Sequence, residues 1–562
     1  MCNLPTVVSS FLLVALNIDA ILGEITLYQR RKKLDEMTKG EGLGDAYEAT
    51  LSRMKAQSRS RSKLGMDILM WVSHAERPLH VDELCHALGV EAGSIDLNTQ
   101  NIPAIETLLA CTLGLVRVEK SSSTVRLVHY TLQEYLSHNP NLFLGPHSLI
   151  AEVCLTYLNF RQVKGLSPAR RSVPPTAPFV EYASCHWGSH ARQGSTESVK
   201  ALALKLLDGY DKHISSKILL LRGLDSWDRP FDRKDTPRGF TGLHGAAYFG
   251  YAEIIVTLLE TNKWDVQATD FHGSTAIAWA ARRGHEGAVR VLLQRSDASP
   301  DKADKWSLTP LLWAAETGYE GVVRMLLERN DVNLDKADKW SQTPLLQAAA
   351  NGHVGVAKML LERNDINPNK ADEDNQTPLS WAANNGHEGV VRMLLERNDV
   401  NPDEADKWSQ TPLLRAAASG HERVVMMVLE RNDVNPNKGD EDSQTPLSWA
   451  ANNGHEEVVR MLLERNNLNP DKADKWGQTP LLRAAANGHE GVVKMLLERN
   501  DINPDKADRW SQTPLLRAAA NGYGDVVKIL LERKNVNPDS PNTEYRQTPP
   551  SRMQRCRASR RI

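Results

Sequence analysis

The sequence predicts a mostly α-helical protein: a solenoid of helix–turn–helix units with short β-hairpin fingers, preceded by a winged-helix-like domain. Two observations predict it. Threonines at 241, 275, 309, 343, 377, 411, 445, 479 and 513 each open a copy of one motif, 34 residues apart every time. A fixed period between 20 and 50 residues marks units that stack on one another. Upstream, three helical patterns are followed by two short runs rich in Val, the order of elements in a winged helix.

One copy, Thr479 to Gln512, shows why each element forms. Thr479 is suited to cap a helix and Pro480 to its first position, where no N–H is needed. Leu481, Ala484 and Ala485 make a short helix whose small residues allow close packing, and Gly488 ends it with a positive φ. A second helix runs from about Glu490 to Arg499, with Val492, Val493, Leu496 and Leu497 on one buried stripe. An Asn/Asp/Pro-rich run, ending in Asp508 and Ser511, turns into the next Thr. One unit is too thin to bury its own apolar face, and stacking on neighbours solves that.

This pattern resembles the ankyrin repeat, whose consensus is D-x-x-G-x-T-P-L-x-x-A-A-x-x-G-H-x-x-V-V-x-x-L-L, over roughly 300 residues. The family's usual period is about 33, so the additional residue is placed in the Asn/Pro-rich loop. Tetratricopeptide repeats share the longer period but lack the Thr-Pro start and the Asp-bearing turn. The resulting map is a helical remnant at 1–60, a winged-helix domain at 61–160, a helical spacer at 161–236, nine ankyrin repeats at 237–537 and a basic tail at 538–562.

A formal net charge of −2 over 562 residues argues against a generic polyanion binder. The cysteines (Cys2, Cys85, Cys111, Cys154, Cys185, Cys556) form no CxxC pair and none lies in the repeats, which fits a reducing, intracellular setting without a zinc site. The apolar run FLLVALNIDAIL is interrupted by Asn17 and Asp19 and lacks the flanks of a signal peptide, so it reads as a buried helix and no membrane association is expected. Helical patterns follow at Gly23 to Thr38 and Asp45 to Met54. The GEGLG between them, Gly40 to Gly44, lacks the Lys-Ser/Thr of a phosphate loop, and no GxxxxGK[ST] occurs in the chain. No cofactor and no metal are expected.

From Leu64 to Phe143 the helical segments are GMDILMWVSHA, HVDELCHALGV and PAIETLLACTLGLV. LVRVEK and TVRLVH flank Ser121 to Ser123, and the helix YTLQEYLS follows. DNA recognition needs Arg, Lys, Asn or Gln aimed at base edges, and the third helix offers only Glu106. FLLVALNIDAIL, SKLGMDILMWVSHAERPLHVDELCHALGV and VRLVHYTLQEYL instead resemble the C-terminal end of a fungal NACHT module. FVEYASCHWGSHAR, Phe179 to Arg192, resembles the helical spacer that such NLR-like signalling ATPases place before their repeats. The resemblance implies that His129 stands where the His of the family's Met-His-Asp motif approaches a nucleotide, with Tyr130 replacing the Asp. Without a nucleotide-binding core upstream, His129 is a histidine hydrogen-bonded at a strand–helix junction. The chain begins where that core would be ending, so it reads as a truncated paralogue or a gene model missing its upstream part, unable as written to hydrolyse ATP.

The repeats open on an atypical copy (Thr241-Gly242-Leu243, with Tyr248 and Phe249), as expected of a terminal unit facing something different. Histidines at 285, 353, 387, 421, 455 and 489 share one slot with Tyr251, Tyr319 and Tyr523. They stand one repeat apart, too far to share an ion at the roughly 2 Å that ligation needs, and read as polar anchors bracing the turn. Two other slots vary. Three residues before the Thr, on the finger, stand Trp306, Trp340, Trp408, Trp476 and Trp510, but Asp374 and Asp442 in two copies. Four residues after the Thr stand Trp313, Trp381, Trp449, Arg415, Arg483 and Arg517, a slot that in ankyrin proteins faces the concave groove. Asp-finger copies carry an inner Trp, and from Thr343 onward Trp-finger copies carry an inner Arg or Gln, a motif of 68 residues.

Trp and Arg are enriched at binding hot spots, so these residues are the candidate contacts for a protein or peptide ligand in the groove. Stacking of Trp on neighbouring Arg or Lys, worth about 0.5–1 kcal/mol when exposed, is the structural alternative. The same residue types also permit single-stranded nucleic acid, against which stand Asp374, Asp442 and the acidic composition of the repeats. Gln547-Thr548-Pro549 begins a tenth copy at a spacing of 35 that no Ala-Ala helix continues. RMQRCRASRRI then reads as a solvated tail or a nuclear-localisation signal. The sequence therefore predicts a non-catalytic, protein-binding scaffold of the cytoplasm, with the nucleus left open by that tail. Its rivals are a fragment of a NACHT-type NTPase and a nucleic-acid binder acting through the winged helix or the Trp/Arg groove.

Overall fold

The computed structural model describes residues 25–32, 43–169, 174–222, 237–261, 263–533 and 535–537. The apolar run at 11–22, most of the Gly-rich stretch, the charged run at 225–236 and the C-terminal basic run lie outside them. The chain divides into two compact units after Ala298.

The first unit begins with α1 (Leu43–Lys55) and α2 (Arg59–His74), whose buried faces meet through Ala46, Leu51, Met54 and Ile68. The winged helix follows as β1 (Leu79–His80), α3 (Val81–Leu88), α4 (Ile105–Cys111), β2 (Val116–Glu119), β3 (Thr124–Leu127) and α5 (Tyr130–His138). Two expectations are corrected here. His80 does not open a helix but closes a third strand, so the sheet runs β1-β3-β2, antiparallel, with Leu79 opposite Val125 and Val118 opposite the same residue. The third helix is also only half as long as PAIETLLACTLGLV suggests. Leu113 (φ 46°) and Gly114 (φ 82°) turn left-handed and stop it before β2.

Beyond α5, helices α6 (Pro146–Leu158), α7 (Val180–Gln193), α8 (Glu197–Leu207) and α9 (Ile214–Arg222) pack as a bundle centred on α6 and α7. Its core is aromatic: Phe179 meets Trp71 at 5.7 Å, Tyr157 at 5.2 Å and Tyr182 at 5.7 Å between ring centroids. This bundle is what the atypical first repeat faces. Gly188 of α7 lies so close to Phe249 that a Cβ there would stand 2.1 Å from the ring. Gly245, where other copies carry Trp or Arg, is filled instead by the ring of Tyr210. The first repeat has lost its groove side chain because the spacer occupies the place.

Each repeat is a pair of antiparallel helices. In the second unit the first helices span Pro310–Thr317, Pro344–Asn351, Pro378–Asn384, Pro412–Ser419, Pro446–Asn453, Pro480–Asn487 and Pro514–Asn521, each packed on the next. The opening Thr caps each one, its hydroxyl accepting an N–H three residues on, as Thr479 does from Leu482 at 3.2 Å. The second helices, such as Glu490–Glu498, bury Val492, Val493, Leu496 and Leu497. The fingers are reduced to their turns. In the copy at 411, Asp406 N–H donates to the Gln410 carbonyl at 3.1 Å, and Ser409 N–H to the Asp406 carbonyl at 2.9 Å.

The finger turn needs one left-handed residue, supplied by Gly239, Gly273 and Gly477 in three copies but by Ser307, Ser341, Asn375, Ser409, Ser443 and Ser511 elsewhere. A Cβ in that region costs about 1–2 kcal/mol, against about 0.5–1 kcal/mol of additional chain entropy for glycine. Ser341→Gly, Ser409→Gly and Ser443→Gly should therefore each stabilise the array by about 0.5–1 kcal/mol, read as a rise in urea midpoint of the helical circular dichroism.

Candidate functional site

In six repeats the finger and the inner helix are joined through one carboxylate, five residues before the Thr. Asp406 is fully buried at its side chain. Its Oδ1 accepts the N–H groups of Trp408 (2.9 Å) and Gln410 (2.8 Å), which bend the finger back. Its Oδ2 accepts from the guanidinium of Arg415 on the inner helix. Asp474 with Arg483 and Asp508 with Arg517 repeat the arrangement. Where the inner residue is Trp, its indole Nε1–H takes the place of the guanidinium: Trp381 donates to Asp372 at 2.9 Å and Trp449 to Asp440 at 3.0 Å. In the first unit Trp279 does the same with Asp270, fully buried. The copy at 343 carries Gln347, which bonds Gln342 instead, and burial pushes the Asp338 carboxyl above the ordinary carboxylate range.

This carboxylate explains the pairing of finger and inner slot. Arg415 and Arg517 lie across the faces of their own finger tryptophans, 5.9 Å from the Trp408 ring and 5.7 Å from the Trp510 ring, while bonding the Asp with their edges. Lys407 covers Trp408 at 4.7 Å and is paired with Asp374 on the preceding finger. Each finger is also tied to the next by one backbone bond: Lys339 N–H to the Trp306 carbonyl (3.0 Å), Lys407 N–H to Asp374 (2.9 Å), Arg509 N–H to Trp476 (2.9 Å). The structure thus brings the sequence-predicted residues into one column. Trp340, Trp408 and Trp510 remain 38 %, 38 % and 42 % exposed although their backbone N–H groups are held by a buried carboxylate. Trp306, Trp476 and the inner Trp313, Trp381 and Trp449 are half-buried, as are Arg415, Arg483 and Arg517. What the sequence reading missed is the Asp itself, which it treated only as a turn residue; its signal is its recurrence five residues before every Thr from 275 to 513.

The His slot braces the turns, and it does so across the repeat boundary. Nε2 of His421 bonds the Asn384 carbonyl (2.9 Å), and His455 and His489 bond Ala418 and Asn452 likewise. Each ring lies on the left-handed Gly that ends the preceding first helix. In the first unit Arg192 donates to His285 Nδ1, so Nε2 carries the proton given to the Tyr248 carbonyl. Burial holds that imidazole down at about 4, neutral at physiological pH.

His129 caps α5, its Nδ1 accepting from the Thr131 N–H (3.4 Å) beside the Thr131 hydroxyl (2.9 Å). This is the strand–helix junction role. The exposed face of α4 presents Glu106, Thr107 and Ala110. Among the described residues no group of His, Cys, Asp or Glu is arranged to hold a metal ion, and no helix is long and apolar enough to cross a membrane.

Two family models match the chain. The one described as ankyrin repeats (3 copies) matches residues 190–304, 243–336, 311–406, 398–474 and 466–542, which together exceed half of the sequence. The one described as the winged helix domain of GPI inositol-deacylase matches residues 51–145. No curated protein matches the chain.

Proposed function

The chain belongs to the ankyrin-repeat family, and from that premise we propose that it is a non-catalytic scaffold whose finger column and inner helices capture a protein or peptide partner. The observation that carries this reading is the combination of exposure and rigidity at the fingertips. Trp340, Trp408 and Trp510 each keep about two fifths of their surface exposed, yet each backbone N–H is held by a buried carboxylate and each of their fingers bonds a neighbouring one. Ordered aromatic side chains lose little entropy on binding, which is why Trp and Arg dominate hot spots. Arg415 and Lys407 over Trp408, and Arg517 over Trp510, hold these rings while leaving them 38 % and 42 % exposed.

Replacing Trp408, Trp476 and Trp510 together by alanine should leave the helical circular dichroism nearly unchanged, because none of the three supplies a side-chain hydrogen bond to the finger. Capture of partner, read by pull-down with the full chain and mass spectrometry, should fall at least tenfold. Loss of the fold in this variant would sink the reading. Capture that weakens steeply with salt and survives only with added nucleic acid would move the assignment to a polyanion ligand.

The order winged helix, spacer, repeats, together with the winged-helix match, supports placing this scaffold in a fungal, NLR-like sensing system of the cytoplasm. In that reading residues 61–160 and 161–236 hold the repeat array, and 237–537 recognise the partner. The acidic, cation-free exposed face of α4 favours a protein ligand over DNA there.

A further inference from the structure

Behind the fingers, the Asn/Asp/Pro loops place one side chain per repeat at a fixed register, eight residues before each Thr. In the second unit these are Asp301, Asp335, Asn369, Asp403, Asn437, Asp471 and Asp505. One oxygen of the side chain accepts an N–H of the following loop. Asn367 N–H donates to Asp335 Oδ2 at 3.0 Å and Asn435 N–H to Asp403 Oδ2 at 3.1 Å. Asn401 and Asn469 donate to the amide oxygens of Asn369 and Asn437 in the same way.

The other atom of the group behaves differently in the two kinds of copy. The Asn369 amide donates to the Asp399 carbonyl and the Asn437 amide to the Asn467 carbonyl, each thirty residues on. Gln267 in the first unit makes the equivalent bond to the Asp297 carbonyl. In the Asp copies the corresponding atom is Oδ1, and at Asp301, Asp335, Asp403, Asp471 and Asp505 it is buried without a hydrogen-bond partner. By register it stands where the amide nitrogen stands, before a carbonyl that it cannot bond while ionised. A buried acceptor left unpaired is destabilising, and more so when charged.

We propose that this column is an acid-tightened seam: a proton taken up by Asp335, Asp403 and Asp471 turns the orphaned oxygen into a donor to the next loop's carbonyl, completing the bond that the amides of Asn369 and Asn437 already make. The charged groups facing each site are few. Lys370, Lys438 and Lys506 reach over from the following loop, donating to the main-chain carbonyls of Asp335, Asp403 and Asp471, and Lys506 also touches Asp471 Oδ2 at 3.1 Å. Asp365, Asp433 and Asp501 face the same sites and are held below the ordinary carboxylate range by bidentate bonds from Arg363, Arg431 and Arg499, so they stay ionised. Burial, with those charges, pushes the three seam carboxyls above their ordinary range despite the lysines. The folded chain thus holds these protons more tightly than the unfolded chain. The stabilisation is complete below the ordinary carboxylate range and is lost as pH rises through the higher folded-state value.

The test uses the full chain and two reciprocal variants, Asp335→Asn/Asp403→Asn/Asp471→Asn and Asn369→Asp/Asn437→Asp, whose residues already occur at equivalent positions. Thermal midpoints of the helical signal are compared from pH 7.5 to pH 4.5, and differences between chains cancel the acid sensitivity of every shared carboxylate. At pH 7.5 the first variant should melt several degrees above the parent and the second several degrees below. Both gaps should shrink toward zero at pH 4.5. Gaps that keep their size across the range, or a first variant that melts at or below the parent at pH 7.5, would overturn the proposal.

Discussion

Asp406→Ala should destabilise the second unit by about 3–5 kcal/mol, the loss expected when one partner of a buried ion pair is removed. The carboxylate receives the N–H groups of Trp408 and Gln410 and the Arg415 guanidinium, all within one shielded site. Removing it leaves a buried cation and two finger donors unpaired, and frees Trp408 from the geometry that holds it out. The measurement is a urea titration of the helical signal, fitted with a nearest-neighbour description because repeat arrays need not unfold in one step. Asp406→Asn should recover part of the loss, since its amide oxygen can still accept the finger N–H groups but carries no charge for Arg415. Equal losses for Ala and Asn would mean that the ion pair, and not the turn, is what the aspartate supports.

Gly420→Ala should cost about 3 kcal/mol, from two separable causes. At φ 76° a Cβ is strained by about 1–2 kcal/mol. It would also stand 2.6 Å from the His455 ring, and displacing that ring loses the His455 bond to the Ala418 carbonyl, an overpacking loss of about 1–3 kcal/mol. Gly93 separates the two causes. It has φ 77° and nothing within 4 Å of where its Cβ would lie, so Gly93→Ala should lose only the backbone part. If both substitutions cost the same under urea titration, the histidine clip contributes nothing.

Much of this was legible from residues that act locally. Thr-Pro starts, Gly ends and the Val/Leu stripe are each decided within a few residues, and every one falls where the period places it. The two-residue β1 was not legible, because Leu79–His80 is too short to show alternation and owes its conformation to β3, more than forty residues on. The Trp–Arg pairing was visible as a pattern but not as a cause, since Asp406 and Arg415 lie on different elements and only folding brings them onto one carboxylate. From the sequence the His slot reads as a polar anchor bracing the turn. That it reaches the carbonyl 37 residues back, as His421 does at Asn384, depends on how copies stack. The orphaned loop oxygens have no sequence signal beyond the interchange of Asp and Asn at one register.

The bonds between neighbouring repeats recur between the same pairs of slots. Fingers bond residue to residue at a separation of 33, histidines at 37 and loops at 32. A chain cut before one Thr and rejoined before another would bring the same slots together on both sides of the joint. The copies opening at Thr377 and Thr445 differ at few positions and lie 68 residues apart, so unequal recombination between their coding segments would remove or add an Asp-finger and a Trp-finger copy together. The number of exposed tryptophans is then a quantity that heredity can change in one event, with no junction to repair afterwards.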